Sequence, residues 1–120
     1  MTRVSAFLLA MLVFLSVPAF GADMTFFMKN RQDRGVAVEL FSQERDTSWP
    51  GGNKVYFLDV GEKKSVTVSC VEGERICYGA WVNGDDSQWF GVGPDNDKPR
   101  CTYCCFICVG KTTEAISISR

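Results

Sequence analysis

Four thiols in eight residues, Cys101, Cys104, Cys105 and Cys108, with two more at Cys70 and Cys77, constrain this 120-residue chain more than any other feature. Cysteines at that density either bond to one another or hold a metal, and the redox compartment decides which. The N-terminus speaks to the compartment. Arg3 gives a positive start, residues 7–20 are apolar apart from Ser16 and Pro18, and small residues follow, which is the order of a secretory signal. The apolar stretch is shorter than the roughly 20 residues a membrane span needs, and Pro18 would end a helix, so no stable membrane anchor is expected after cleavage. Cleavage after Gly21 places Ala19 and Gly21 at the small-residue positions; cleavage after Ala22 is the neighbouring choice. The chain therefore divides into a signal peptide, 1–21, and a single disulfide-rich β domain, 22–120, that is secreted or periplasmic.

A domain of that size has room for one core, and it buries too little surface to rely on hydrophobic burial alone. Disulfides, worth roughly 2 to 4 kcal/mol each, are the natural supplement. Arg3 is the only charge lost with the signal, which leaves twelve basic and fourteen acidic groups. That balance offers no concentrated basic surface for a nucleic acid.

No stretch keeps a period near 3.6, so no long helix is expected. Short apolar runs separated by Gly, Asn, Asp and Pro predict strands over 24–29, 36–41, 54–59, 65–70, 75–82, 88–92, 104–109 and 115–119. In two of them the alternation is plain: Val66, Val68 and Cys70 oppose Thr67 and Ser69, and Ile116 and Ile118 oppose Ser117 and Ser119. One face in and one face wet is the pattern of an antiparallel sheet. The expected architecture is a small antiparallel β-sandwich stabilised by disulfides, with a small barrel as the alternative. The strands 65–70 and 75–82 are expected to form a hairpin around Glu72-Gly73, with Cys70 and Cys77 diagonal on one inward face.

Six thiols allow 15 pairings. Cys104 and Cys105 are neighbours, so in an extended strand they point to opposite faces and need different partners. Cys70 and Cys77, if diagonal, sit near or beyond the roughly 7 Å Cα limit for bridging, which favours bonds from each to the 101–108 cluster. All six cysteines are therefore expected in disulfides. Zinc competes, because Cys101/Cys104 and Cys105/Cys108 are both C-x2-C pairs, but these abut where a four-sulfur site wants two separated knuckles. Thiol–disulfide exchange competes as well, although no βαβ pattern surrounds the motif.

The chain has no histidine, which removes Ser-His-Asp and Cys-His nucleophile pairs and His-based zinc catalysis. Carboxylates remain, with Glu39, Glu44, Glu72, Glu74, Asp85 and Asp86 as the pool, yet none lies in an apolar context that marks a general acid. Asp85-Asp86 and Asp95-Asn96-Asp97 read as two acidic loops flanking Trp89-Phe90, able to attract calcium only if they converge, and no EF-hand spacing is present. Most aromatics are core. Trp49, between a polar run and Pro50-Gly51-Gly52, is either a lid on the core or a ligand platform, and Trp89 lies among acidic residues as sugar- and partner-binding aromatics do. An exported, disulfide-bonded β-sandwich with aromatic loops is similar in outline to thaumatin-like proteins and other secreted β modules, an analogy of architecture alone.

These observations lead to one expectation: a small secreted or periplasmic β domain, not an enzyme, that binds a protein or carbohydrate through Trp49, Trp89, Asp85, Asp86, Asp95 and Asp97. It implies no cofactor and no resident metal. The alternative is a cysteine-based zinc-binding or thiol-redox protein.

Overall fold

The computed structural model describes residues 20–99 and 101–119, so the signal peptide expected over 1–21 lies almost wholly outside the described residues. The described residues form strands and turns only. They build nine strands: β1 (Gly21–Asn30), β2 (Val36–Ser42), β3 (Ser48–Trp49), β4 (Tyr56–Leu58), β5 (Lys63–Val71), β6 (Arg75–Val82), β7 (Asp85–Gly91), β8 (Cys105–Ile107) and β9 (Thr113–Ile118).

Two open sheets face one another. The first has the order β5-β1-β9. In it β1 runs antiparallel to β5, from Gly21 opposite Val71 to Lys29 opposite Lys63, and parallel to β9, from Thr25 beside Thr113 to Asn30 beside Ile118. The second is centred on the antiparallel pair β2 and β6, with Val36 opposite Val82 and Ser42 opposite Ile76. Each outer edge of that pair carries two short strands in tandem: β3 and β4 along β2, and β7 and β8 along β6. Neither sheet closes, so the fold is a sandwich and not a barrel. The parallel β1–β9 pair departs from the all-antiparallel expectation, since a pairing between residues some ninety apart leaves no local sequence signal.

Alternation determines which side chains go inside. Met24, Phe26 and Met28 from β1, Val68 and Cys70 from β5, and Ile116 and Ile118 from β9 all bury, and they meet Val36, Val38, Leu40, Ile76 and Ala80 of the second sheet. The Phe26 and Phe106 rings touch edge to face across the gap, centroids 5.6 Å apart. Asn30 is fully buried, yet its amide donates to the carbonyls of Arg34, Leu58 and Asp59 and its oxygen accepts from the Gln32 amide, so no polar atom is stranded.

The expected hairpin of β5 with β6 does not form, because the two strands belong to different sheets. The turn between them, with Gly73 at φ 88°, is a corner that carries the chain across the sandwich. The edge a hairpin would use is taken by the segment after β8: the Gly73 amide donates to the Cys108 carbonyl at 2.8 Å, and the Cys108 amide donates to Glu74 at 2.7 Å. The true hairpin joins β6 to β7 through Asn83-Gly84, where Gly84 takes φ 85°.

β6 is buried on both faces. A loop spanning 92–104 lies over its outer face, with the Val92 amide donating to the Tyr78 carbonyl and the Tyr78 amide donating to the Cys104 carbonyl. A Cβ at Gly79 would sit 2.0 Å from the Gly93 carbonyl oxygen, so only glycine permits this approach.

All six cysteines are bonded. Cys70–Cys108 ties β5 of the first sheet to the second, Cys77–Cys105 joins facing residues of β6 and β8, and Cys101–Cys104 closes a short ring in the covering loop. Cys104 and Cys105 do take different partners, and both Cys70 and Cys77 bond into the C-terminal cluster as the sequence predicts.

Candidate functional site

β7 is the outermost strand of one sheet and β9 of the other. Between them, at the open side of the sandwich, lies a groove of about 400 Å³. Tyr78, Phe90 and Trp89 line it from the second sheet, Ser117 and Ser119 from the β9 side, and Cys101 and Tyr103 from the covering loop. The composition follows from local patterning. Ser117 is on the wet face of β9, opposite the buried Ile116 and Ile118, and Phe90 turns inward opposite Ala80. Tyr103 is 86 % exposed and Trp89 39 % exposed, so two large rings face solvent beside hydroxyl groups. Burial pushes the Tyr78 hydroxyl above its usual range, so it stays protonated and available for hydrogen bonding. Lys98 holds its ammonium 5.5 Å from the Trp89 ring centroid, a cation–π contact that orders the indole.

A second, polar cleft of about 250 Å³ lies at the β2–β3 connection, lined by Ser42, Arg45, Asp46, Ser48, Asp95 and Asn96 among others. Gln43 bridges its wall by donating to the Asn96 side chain at 3.0 Å. Burial, and secondarily the charge of Asp95, push the Glu39 carboxyl above its ordinary value, against a lowering hydrogen bond with Ser48. Arg45 is committed elsewhere, to Glu74, whose carboxyl it holds down at about 2 with help from Ser42 and the Val71 amide. Glu44 is engaged as well, accepting from the Arg75 amide at 2.7 Å.

The residues singled out in the sequence are distributed, not gathered. Trp49 in β3 and Trp89 in β7 are separated by β2 and β6. The Trp49 indole packs against the core and donates to the Ser69 carbonyl of the other sheet at 3.0 Å, which is the lid arrangement. Asp85 and Asp86 belong to β7 and not to a loop, which corrects the sequence reading: after the two-residue Asn83-Gly84 turn Asp85 already faces Val82 of β6, and Asp86 lies in the irregular stretch of β7 before Trp89 faces Trp81. Asp85 accepts from Ser87 and Gln88, and those hydrogen bonds, Ser87 first, hold its pKa low. Asp95 and Asp97 lie beyond the other end of β7, and Asp95 lines the polar cleft with Ser48 while Asp85 and Asp86 line a separate one with Trp81, so the two acidic segments do not converge. Among the described residues no group of three or more His, Cys, Asp or Glu side chains is placed to hold a metal.

Only Trp89 of the expected ligand residues lines the aromatic groove, with Asp95 in the polar cleft. Tyr78, Phe90, Tyr103, Ser117 and Ser119 were not singled out as ligand residues in the sequence. The signal available for Ser117 and Ser119 was their place on the wet face of the last strand, but what they face depends on the β1–β9 pairing. Comparison with known proteins finds no matching family model, no similar curated protein and no similar solved structure.

Proposed function

We propose that this chain is an exported, disulfide-braced binding domain that holds an extended polypeptide segment of a partner in the groove between β7 and β9. The observation that carries this reading is the joining of two exposed aromatic rings, Trp89 and Tyr103, with two outermost strands on one rigid frame. Outermost strands have main-chain donors and acceptors to spare, and an added strand uses them while adjacent pockets select its side chains. Rigid aromatics supply contact area at small entropic cost. The three disulfides are what an oxidising compartment supports, in keeping with the apolar leader.

Tryptophan fluorescence during titration with a library of extended peptides tests the proposal. A saturable shift that disappears in Trp89→Ala and in Tyr103→Ser supports it. A response to glycans and none to peptides reassigns the partner, and silence in both series removes the reading.

A further inference from the structure

Of the six cysteines, Cys101 alone is exposed, and it lines the aromatic groove. Its partner Cys104 is fully buried. The other bonds are protected: Cys70, Cys77 and Cys108 are buried, and Cys105 is half-buried against the core. We infer that Cys101–Cys104 is a thiol–disulfide exchange site, and that its substrate is a polypeptide carrying two cysteine thiols and lying in the β7–β9 groove. The path of the polypeptide rests on the binding reading above; the sulfur chemistry does not.

Exchange needs an accessible sulfur to attack and a leaving sulfur that tolerates negative charge. Cys101 supplies the first. For the second, the Cys101 amide points its N–H at the Cys104 sulfur, 3.0 Å away. That donor offsets part of the cost that full burial and the Cys101 carbonyl, 3.2 Å from the same sulfur, place on a Cys104 thiolate, so Cys104 serves as the leaving sulfur while attack falls on the exposed Cys101. No histidine is required, because the attacking partner thiol ionises on its own near pH 8.

A partner thiolate attacks the Cys101 sulfur, the Cys101–Cys104 bond breaks, and its electron pair goes to Cys104. The mixed disulfide so formed is attacked at the partner's sulfur by the partner's second thiolate, which releases Cys101. The partner dithiol is oxidised to a disulfide by two electrons, the domain disulfide is reduced by two, and the two protons lost by the partner end on Cys101 and Cys104. The reaction is a single turnover with the partner dithiol as the reductant.

Three measurements test this, the first two on the purified, fully oxidised domain. In the first, dithiothreitol is added in graded amounts, free thiols are alkylated, and mass spectrometry locates the label. Cys101 and Cys104 are expected to be labelled at a concentration at least tenfold below that needed for the other four cysteines; labelling of all six together overturns the exchange site whatever the groove does. In the second, a reduced peptide with two cysteines and a neighbouring aromatic residue is the substrate. It is expected to be oxidised one for one, with its rate relative to dithiothreitol falling about tenfold in Trp89→Ser and unchanged in the remote Val60→Ser. An unaltered ratio in Trp89→Ser overturns the polypeptide path while the first measurement stands. Cys104→Ser, which frees Cys101, is expected to form a lasting mixed disulfide at Cys101 with a one-cysteine peptide supplied as its 5-thio-2-nitrobenzoate disulfide, since the thionitrobenzoate leaves and the peptide has no second thiolate to release Cys101; recovery of unmodified Cys101 with near-ultraviolet dichroism intact sinks the exchange chemistry.

Discussion

Arg45, from the loop after β2, holds the buried carboxylate of Glu74 at the corner between β5 and β6, its Nη2 donating to Oε1 at 2.8 Å and its Nε to Oε2. Ser42 and the Val71 amide complete the coordination of that carboxylate. The contact pins one of the two places where the chain passes from the first sheet to the second, the other being the β1–β2 connection. Hydrogen bonding from Arg45 is the largest cause of a Glu74 pKa lowered from 4.5 to about 2. A group whose folded pKa is depressed stabilises the fold fully above its unfolded pKa and ceases to do so as pH falls through the folded value. Stability is therefore expected to be level above about pH 5 in this respect and to fall between pH 4.5 and pH 2, by an amount on the order of 3 kcal/mol. Thermal melts across that window check it, and Glu74→Gln is expected to flatten the profile there while lowering the midpoint at pH 7.

Gly79→Ala is expected to cost at least about 3 kcal/mol, since the added methyl meets a backbone oxygen at 2.0 Å and no side-chain rotation relieves it. Urea unfolding reads the loss. A near-neutral result would mean that the 92–104 loop does not lie across β6.

The three disulfides are expected to differ in worth. Cys101–Cys104 joins residues three apart, whereas Cys77–Cys105 and Cys70–Cys108 span 28 and 38. In the chain-entropy account, closing the short ring contributes about 2 kcal/mol and each long one about 4. Paired serine variants, compared by denaturant midpoint, are expected to rank in that order, with the Cys101/Cys104 pair the mildest.

Trp49→Phe keeps the ring and removes the indole N–H that reaches Ser69. A loss of about 1 kcal/mol is expected, with no change in partner affinity. Reduced affinity at unchanged stability would instead make Trp49 part of the binding surface.

What the chain reveals before folding is mostly its local order. The expected strand 75–82 coincides with β6, and the alternation in 65–70 and 115–119 places Val68, Cys70, Ile116 and Ile118 in the core. Cys70 and Cys77 do both bond into the C-terminal cluster, but the diagonal placement that argued for this belonged to a hairpin that does not form, since they lie on strands of different sheets. Non-local pairings were not legible. The Glu72-Gly73 turn has the composition of a hairpin, but the edge of β6 is taken by the Cys108 segment, and the Glu74 carboxylate at that corner is anchored by Arg45, 29 residues away. β3 is two residues long and gives no periodicity at all. The site was half legible for the same reason: Trp89 stands out by type, while Tyr78, Tyr103 and Ser117 meet only once the two sheets are stacked.

The connectivity of the two long disulfides bears on how the domain matures. Synthesis delivers Cys70 and Cys77 first, yet each is bonded to a cysteine near the far end of the chain. An oxidase working vectorially, sulfur by sulfur as they appear, would join the early two to each other and trap a non-native species. Oxidation in order of appearance would therefore need isomerisation to reach the native set, whereas oxidation after the strands have paired would not, and comparing yields with and without a disulfide isomerase separates the two routes.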